Sequence, residues 1–184
     1  DSIWAMGRRL ASEGIDTPFA NIRYATQYGE LAEAEAAFRE AGERIREDGL
    51  PDEVVPFICG FTGYGNVSKG AQHLYDLLPV QQLRPDELDE FIERGEFSRH
   101  MVYKVEFREQ DMFEPAEDGA EFILQEFYDS PGLYRSRFEQ YLPHLSMVVN
   151  GIYWEPRYAR LITKDFARTL WSGWTKPRLR VIGD

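Results

Sequence analysis

Residues 57–71, Phe57-Ile58-Cys59-Gly60-Phe61-Thr62-Gly63-Tyr64-Gly65-Asn66-Val67-Ser68-Lys69-Gly70-Ala71, run from an apolar stretch through a glycine cluster into a helix start. Val54 to Thr62 is rich in β-branched and aromatic residues and reads as a buried strand. Pro56 falls near its start, where a missing N–H is tolerated. Asn66 to Leu78 reads as a helix that turns Ala71, Leu74, Leu77 and Leu78 inward. Between them, Gly63 to Ser68 fits G-x-G-x-x-G with serine in the third place. Gly63 can take the tight turn, and Gly65, lacking a Cβ, lets backbone approach a pyrophosphate. The helix start beyond offers free N–H groups and the positive end of its dipole. Ser68 is small enough for close strand–helix packing, and its hydroxyl can add a hydrogen bond. Lys69 could screen phosphate charge, although a solvated lysine is the plainer reading. A lone G-x-G is a weak signal; the strand before it and the helix after it point to a dinucleotide loop. No Gly-Lys-Ser/Thr follows, so the stretch is not a P-loop.

Outward from this loop, strands alternate with helices. Upstream, Ile3, Met6, Gly7 and Leu10 share one helical face, and Leu31, Ala34, Phe38, Ala41 and Ile45 mark a longer helix ended by Gly49 and Pro51. Downstream, Val80 to Leu83 is a short second strand, Pro85-Asp86-Glu87-Leu88 opens another helix, and Met101 to Phe107 is a third strand. Leu145 to Tyr153 is a fourth strand, Thr163 caps a helix running to Trp171, and Leu179 to Ile182 is a last strand. This order predicts an α/β fold with a Rossmann-like, doubly wound, mostly parallel sheet. Residues 109–143 are acidic, aromatic and expected to be partly helical, an insertion into the βαβ pattern. Its 122–141 part reads as a packing or interface helix. Residues 1–50 are expected to lead into a nucleotide domain over 51–184, and both ends look cut from a longer chain.

The 184 residues carry a net charge of −11, with 43% hydrophobic residues. That balance disfavours nucleic acid and anionic membranes, which attract basic surfaces. No run approaches the roughly 20 apolar residues of a membrane helix. The single cysteine, Cys59, sits in an apolar run and reads as an inert thiol, compatible with a reducing cytoplasm. His73, His100 and His144 share no ligand spacing and there is no Cys/His cluster, so no metal is expected. Ser68 has no partnered histidine, so a nucleophilic triad lacks support.

The tip of the second strand is where the adenosine ribose should be read. An acid there takes both ribose hydroxyls, and an arginine favours a 2′-phosphate. Arg84 and Asp86 supply both, leaving NAD and NADP open, with Arg84 tilting towards NADP. Asp86 also stands where a helix N-cap would. Asn150-Gly151 closes the fourth strand, where an Asn-Gly pair can bring backbone near a nicotinamide ribose or simply turn the chain.

The motifs FTGYGNVSKGAQ, SRH and NGIYWE, in that order and spacing, resemble the lysine–2-oxoglutarate reductase/saccharopine dehydrogenase family. TPFANIRYA, RLITKDFARTL and RLRVIGD are similar to it too. The family is close in fold to alanine dehydrogenase and the transhydrogenase nucleotide domain. The resemblance implies a Rossmann domain and pyridine-nucleotide chemistry on saccharopine. It implies that Gly63, Gly65, Asn66, Val67 and Ser68 line the pyrophosphate, and that Asn150, Gly151 and Ile152 lie near the nicotinamide. The family's lysine and histidine acid–base pair belongs to a separate substrate domain, so no catalytic residue is expected within this chain. Glu155 and Arg157 could touch substrate or pair on the surface, and Asp184 would sit at the cleft edge. The rival expectations are another amino-acid dehydrogenase, such as one acting on alanine, and a non-catalytic nucleotide-binding module. The partners expected are a nicotinamide dinucleotide and a small amino-acid substrate, with room for a homo-oligomer.

Overall fold

The structure, a computed structural model, describes residues 1–173 and 177–184. In chain order it contains α1 (Ser2–Ser12), α2 (Leu31–Asp48), β1 (Ile58–Thr62), α3 (Asn66–Tyr75), β2 (Val80–Leu83), α4 (Leu88–Arg94) and β3 (Val102–Phe107). There follow α5 (Glu109–Met112), β4 (Phe113–Pro115), α6 (Leu124–Asp129), β5 (Tyr134–Ser136), β6 (Met147–Asn150), α7 (Lys164–Ser172) and β7 (Val181–Gly183).

The amphipathic readings translate into buried faces. Ile3, Met6, Gly7 and Leu10 are the buried residues of α1. Ala34, Phe38, Ala41 and Ile45 are buried on α2, but Leu31, expected on the same face, is exposed at the first position of the helix. Thr163 caps α7 as expected, its hydroxyl accepting from the Phe166 N–H at 3.2 Å. Two strands are shorter than their apolar runs. Residues 52–54 form a 3-10 turn and a cis Val55–Pro56 bond precedes β1, so that strand starts at Ile58. The β6 strand ends at Asn150 because Gly151 turns away to contact β1.

Five parallel strands form the central sheet in the order β2-β3-β1-β6-β7. It is Rossmann-like, but with one exchange. The usual order places the second strand beside the first. Here the third strand, β3, pairs with β1 in the register Ile58↔Tyr103, and β2 is pushed to the edge. The chain steps outward through α3 on one face and back through α4 on the other, so both crossovers keep the same hand. One core packs α1, α2 and α3 against Phe57, Cys59, Phe61 and Met147. The other packs α4 and the 109–143 insertion against Tyr103, Val105, Phe107 and Val148. The insertion is partly helical, as expected: it carries short α5 and α6, two 3-10 segments and the antiparallel pair β4–β5. Its aromatic residues, among them Phe113, Phe127 and Tyr134, are buried against one another.

Candidate nucleotide-binding site

The carboxyl ends of β1, β3 and β6 converge on the glycine turn. Gly63 has φ +77°, a left-handed conformation that glycine adopts without steric cost, and its N–H donates to the Phe107 carbonyl at 2.8 Å. A Cβ there would lie 2.5 Å from the Ile152 Cγ2. Gly151 does the reciprocal job from β6. Its N–H donates to the Thr62 carbonyl and hydroxyl, each at 3.1 Å. A Cβ on Gly151 would come within 2.8 Å of Ser68 Cβ and the Thr62 carbonyl. The two turns thus interlock, with the Ile152 and Ser68 side chains taking the space that a Cβ on either glycine would need. Gly65 differs: it caps the N-terminus of α3, and a Cβ there meets nothing within 4 Å.

Asn66 and Val67 continue the exposed rim, with Val67 71% exposed. Ser68 is fully buried, and its small side chain lets α3 sit against Gly151. Its hydroxyl accepts from the Gln72 amide at 3.1 Å, so it serves the helix interior and does not face the rim. Asn150 links three strand tips. Its Oδ1 accepts from the Thr62 hydroxyl at 2.6 Å and its Nδ2 donates to the Asp184 carboxylate at 2.6 Å.

Two cavities open on either side of the 152–154 segment. One, about 340 Å³, is lined by Gly63, Tyr64 and Gly65 on one wall, and by Glu109, Phe127, Tyr128, Trp154 and Tyr158 on the other. The second, about 450 Å³, lies over β6 and β7 and is lined by Asn150, Ile152, Trp154, Arg160, Ile162 and Asp184. Both fall in the size range of small-molecule sites. The insertion therefore forms cavity wall as well as packing, which the reading of 122–141 as a packing or interface helix missed. Tyr128 donates to Glu109 at 2.7 Å, and burial, then that carboxylate, push its phenol above the ordinary tyrosine range. Arg160 lies over the Trp154 ring at 4.5 Å.

Arg84 and Asp86 are not brought to this site. They stand at the tip of edge strand β2, where the Arg84 guanidinium donates to Asp86 at 2.9 and 3.2 Å and meets Glu87 at 3.4 Å. The Arg84 side chain holds the Asp86 carboxyl below its usual range. Their placement beside β1 assumed that strands sit in chain order; the inserted β3 separates them. The signal was in the sequence: Val80-Gln81-Gln82-Leu83 is too polar for an inner strand, and both glutamines are exposed. His73 pairs with Glu35, His144 with Asp89, and the His100 ring meets the Arg46 carbonyl, so none of the three lines either cavity. Glu155 and Arg157 pair with each other, and Arg157 also donates to the Tyr128 carbonyl at 3.1 Å. Cys59 is buried, and desolvation raises its thiol well above the ordinary value. Among the described residues no group of three potential metal ligands exists, and no helix is long and apolar enough to cross a membrane.

No protein-family model matches the chain. Among curated proteins it is 34% identical over 193 aligned positions to the alpha-aminoadipic semialdehyde synthase of Arabidopsis thaliana, covering 100% of this chain and 18% of that protein. It is 35% identical over 179 positions to the mitochondrial alpha-aminoadipic semialdehyde synthase of Bos taurus, covering 97% of this chain and 19% of the relative. The chain is homologous to one segment of the alpha-aminoadipic semialdehyde synthases. The mitochondrial enzyme of Mus musculus matches at 35% over 90% of the chain. The lysine–2-oxoglutarate reductase/saccharopine dehydrogenase family suggested by FTGYGNVSKGAQ and NGIYWE is thereby borne out. The chain spans about a fifth of the length of these synthases.

Proposed function

We propose that this chain is the nicotinamide-dinucleotide-holding part of an oxidoreductase that interconverts lysine plus 2-oxoglutarate and saccharopine. The observation that carries the reading is Gly65. It stands open at the N-terminus of α3, near the carboxyl ends of β1 and β6, and lines the 340 Å³ cavity. That is where a doubly wound sheet takes a ligand, at its topological switch point. A Cβ at Gly65 would intrude on the space a pyrophosphate needs, and the first N–H groups of α3 suit its charge. In this reading Gly63, Gly65, Asn66 and Val67 hold the pyrophosphate. Ser68 acts by letting α3 approach Gly151. Asn150, Gly151 and Ile152 shape the nicotinamide end, with the Asn150 amide held by Thr62 and Asp184.

A bound dinucleotide supplies hydride exchange with the C–N bond of the substrate. The chain's own residues position it: the Gly63–Ile152 and Gly151–Ser68 contacts fix the two turns, and Trp154 with the insertion shields the cavity. Proton transfers are assigned to a lysine and histidine on the substrate domain that the family resemblance implies. The cavities themselves bring no histidine. The cytoplasm stays the compartment suggested by the lone cysteine, while the bovine and murine relatives carry the word mitochondrial in their names.

Titration of NADPH and NADH by ligand fluorescence tests the reading. Binding in the micromolar range that Gly65→Asp abolishes, with the fold intact by circular dichroism, supports it. Binding of neither dinucleotide, or equal binding by Gly65→Asp, refutes it.

A further inference from the structure

The two cavities beside residues 152–154 differ in charge. The smaller has one carboxylate, Glu109, and no cation in its lining. The larger, over β6 and β7, has Arg160 and Asp184. Arg160 is the one cationic side chain among the described residues that lines either cavity. Val148, Ile152, Leu161, Ile162 and Ile182 make much of the remaining wall apolar. A charge-assisted bond formed against such a wall is less screened than one in open water.

Arg160 is held in place without being neutralised. Its guanidinium carbon lies 4.5 Å from the centre of the Trp154 ring. Trp154 is itself pinned, its indole N–H donating to the Tyr158 carbonyl at 3.2 Å. Stacking occupies one face of a guanidinium and leaves its N–H edges free for a planar anion. Among the described residues no carboxylate stands within ion-pair distance of Arg160. The acids of the cavity and of the neighbouring sequence have other donors. Asp184 accepts from the Asn150 amide at 2.6 Å, Glu155 is taken by Arg157, and Asp165 by Arg168 at 2.7 Å. A solvated surface arginine would be equally exposed, but it would not be laid on a pinned ring in the wall of an apolar cavity.

We propose that Arg160, with Trp154 behind it, holds a carboxylate of the substrate in the cavity over β6 and β7. The ligand class is a short carboxylic acid, either a 2-oxo acid or an amino acid. A carboxylate can take two parallel N–H bonds from the guanidinium fork. The inference rests on the dinucleotide reading for calling this ligand the substrate: Asn150 and Ile152, given there to the nicotinamide end, line the same cavity. It brings part of substrate binding into this chain, while proton transfer stays with the substrate domain.

The test is an NMR titration of this chain, with and without dinucleotide, followed by the Arg160 and Trp154 side-chain N–H signals. The probes are 2-oxoglutarate, L-lysine and the neutral glutaramide. At least one acid should move both signals saturably, with a dissociation constant of about 1 mM or tighter, and the acid that does so identifies the source of the carboxylate. Glutaramide should not bind. R160A should weaken the acid about tenfold or more. R160K should keep part of the affinity, since lysine retains the charge but not the planar fork. R168A, which removes an exposed arginine of α7, should stay within about twofold of the parent. NADPH and NADH titrations on the same samples separate the two readings. The inference is overturned if neither acid binds saturably, if glutaramide binds as tightly as the acids, or if R160A binds the acid within about twofold of the parent. It is overturned equally if R160A loses dinucleotide and acid to the same extent. Binding of neither dinucleotide, with an acid still held through Arg160, brings down the dinucleotide reading and leaves the carboxylate site.

Discussion

The turns after β1 and β6 spend their glycines differently. Gly63 and Gly151 are filled from outside: Ile152 occupies the side-chain space of the first, and Ser68 with the Thr62 carbonyl that of the second. Gly65, two residues from Gly63, faces open space. A pattern such as G-x-G treats its glycines as equivalent ligand contacts. Here one glycine makes the architecture and the other leaves the room. Substitutions should separate these roles.

The largest effect is expected from Gly63→Ala. It forces a Cβ into the left-handed region, which costs roughly 1–2 kcal/mol, and against Ile152, which adds roughly 1–3 kcal/mol. Thermal melting should fall by roughly 5–15 °C. Adding Ile152→Ala should recover the contact part and leave the backbone part, so the double mutant should be less destabilised than the sum of the singles. Strict additivity would show that Ile152 does not fill the Gly63 space. Gly151→Ala comes next, at about 1–3 kcal/mol by denaturant unfolding, because its new Cβ meets backbone that cannot swing aside. Asn150→Ala should cost about 1–2 kcal/mol, from the lost bonds to Thr62 and Asp184. Gly65→Ala should change stability by less than about 1 kcal/mol, since its φ of −73° suits alanine and its surroundings are empty. It should nonetheless weaken dinucleotide binding. A melting loss in Gly65→Ala as large as that in Gly63→Ala would erase the distinction between the two.

What the chain revealed before its fold was known follows the same division. Local signals came through: the buried face of α1, the Thr163 cap, and the strand–glycine–helix passage from Ile58 to Tyr75. Each is decided by neighbours within a few residues. The exchange of β2 and β3 is decided by which strand can afford two neighbours, and only the Gln81-Gln82 pair hinted at it. Arg84 and Asp86 were therefore placed by chain order. The aromatic residues of 122–141 had the composition of a core. That Phe127 and Tyr128 would also face the glycine turn depends on how the insertion folds back, which no local periodicity encodes.

The place of β1 at the centre of the sheet also sets a timetable for the chain's synthesis. Thr62 meets Asn150 across 88 residues of sequence. At 5–20 residues per second, the ribosome needs roughly 4–18 seconds to pass from one to the other. Throughout that interval the fully buried strand β1 has at least one open edge, and the glycine turn lacks the Gly151 and Ile152 that hold it. The glycine turn is among the first parts of this sheet to be made and among the last to become rigid.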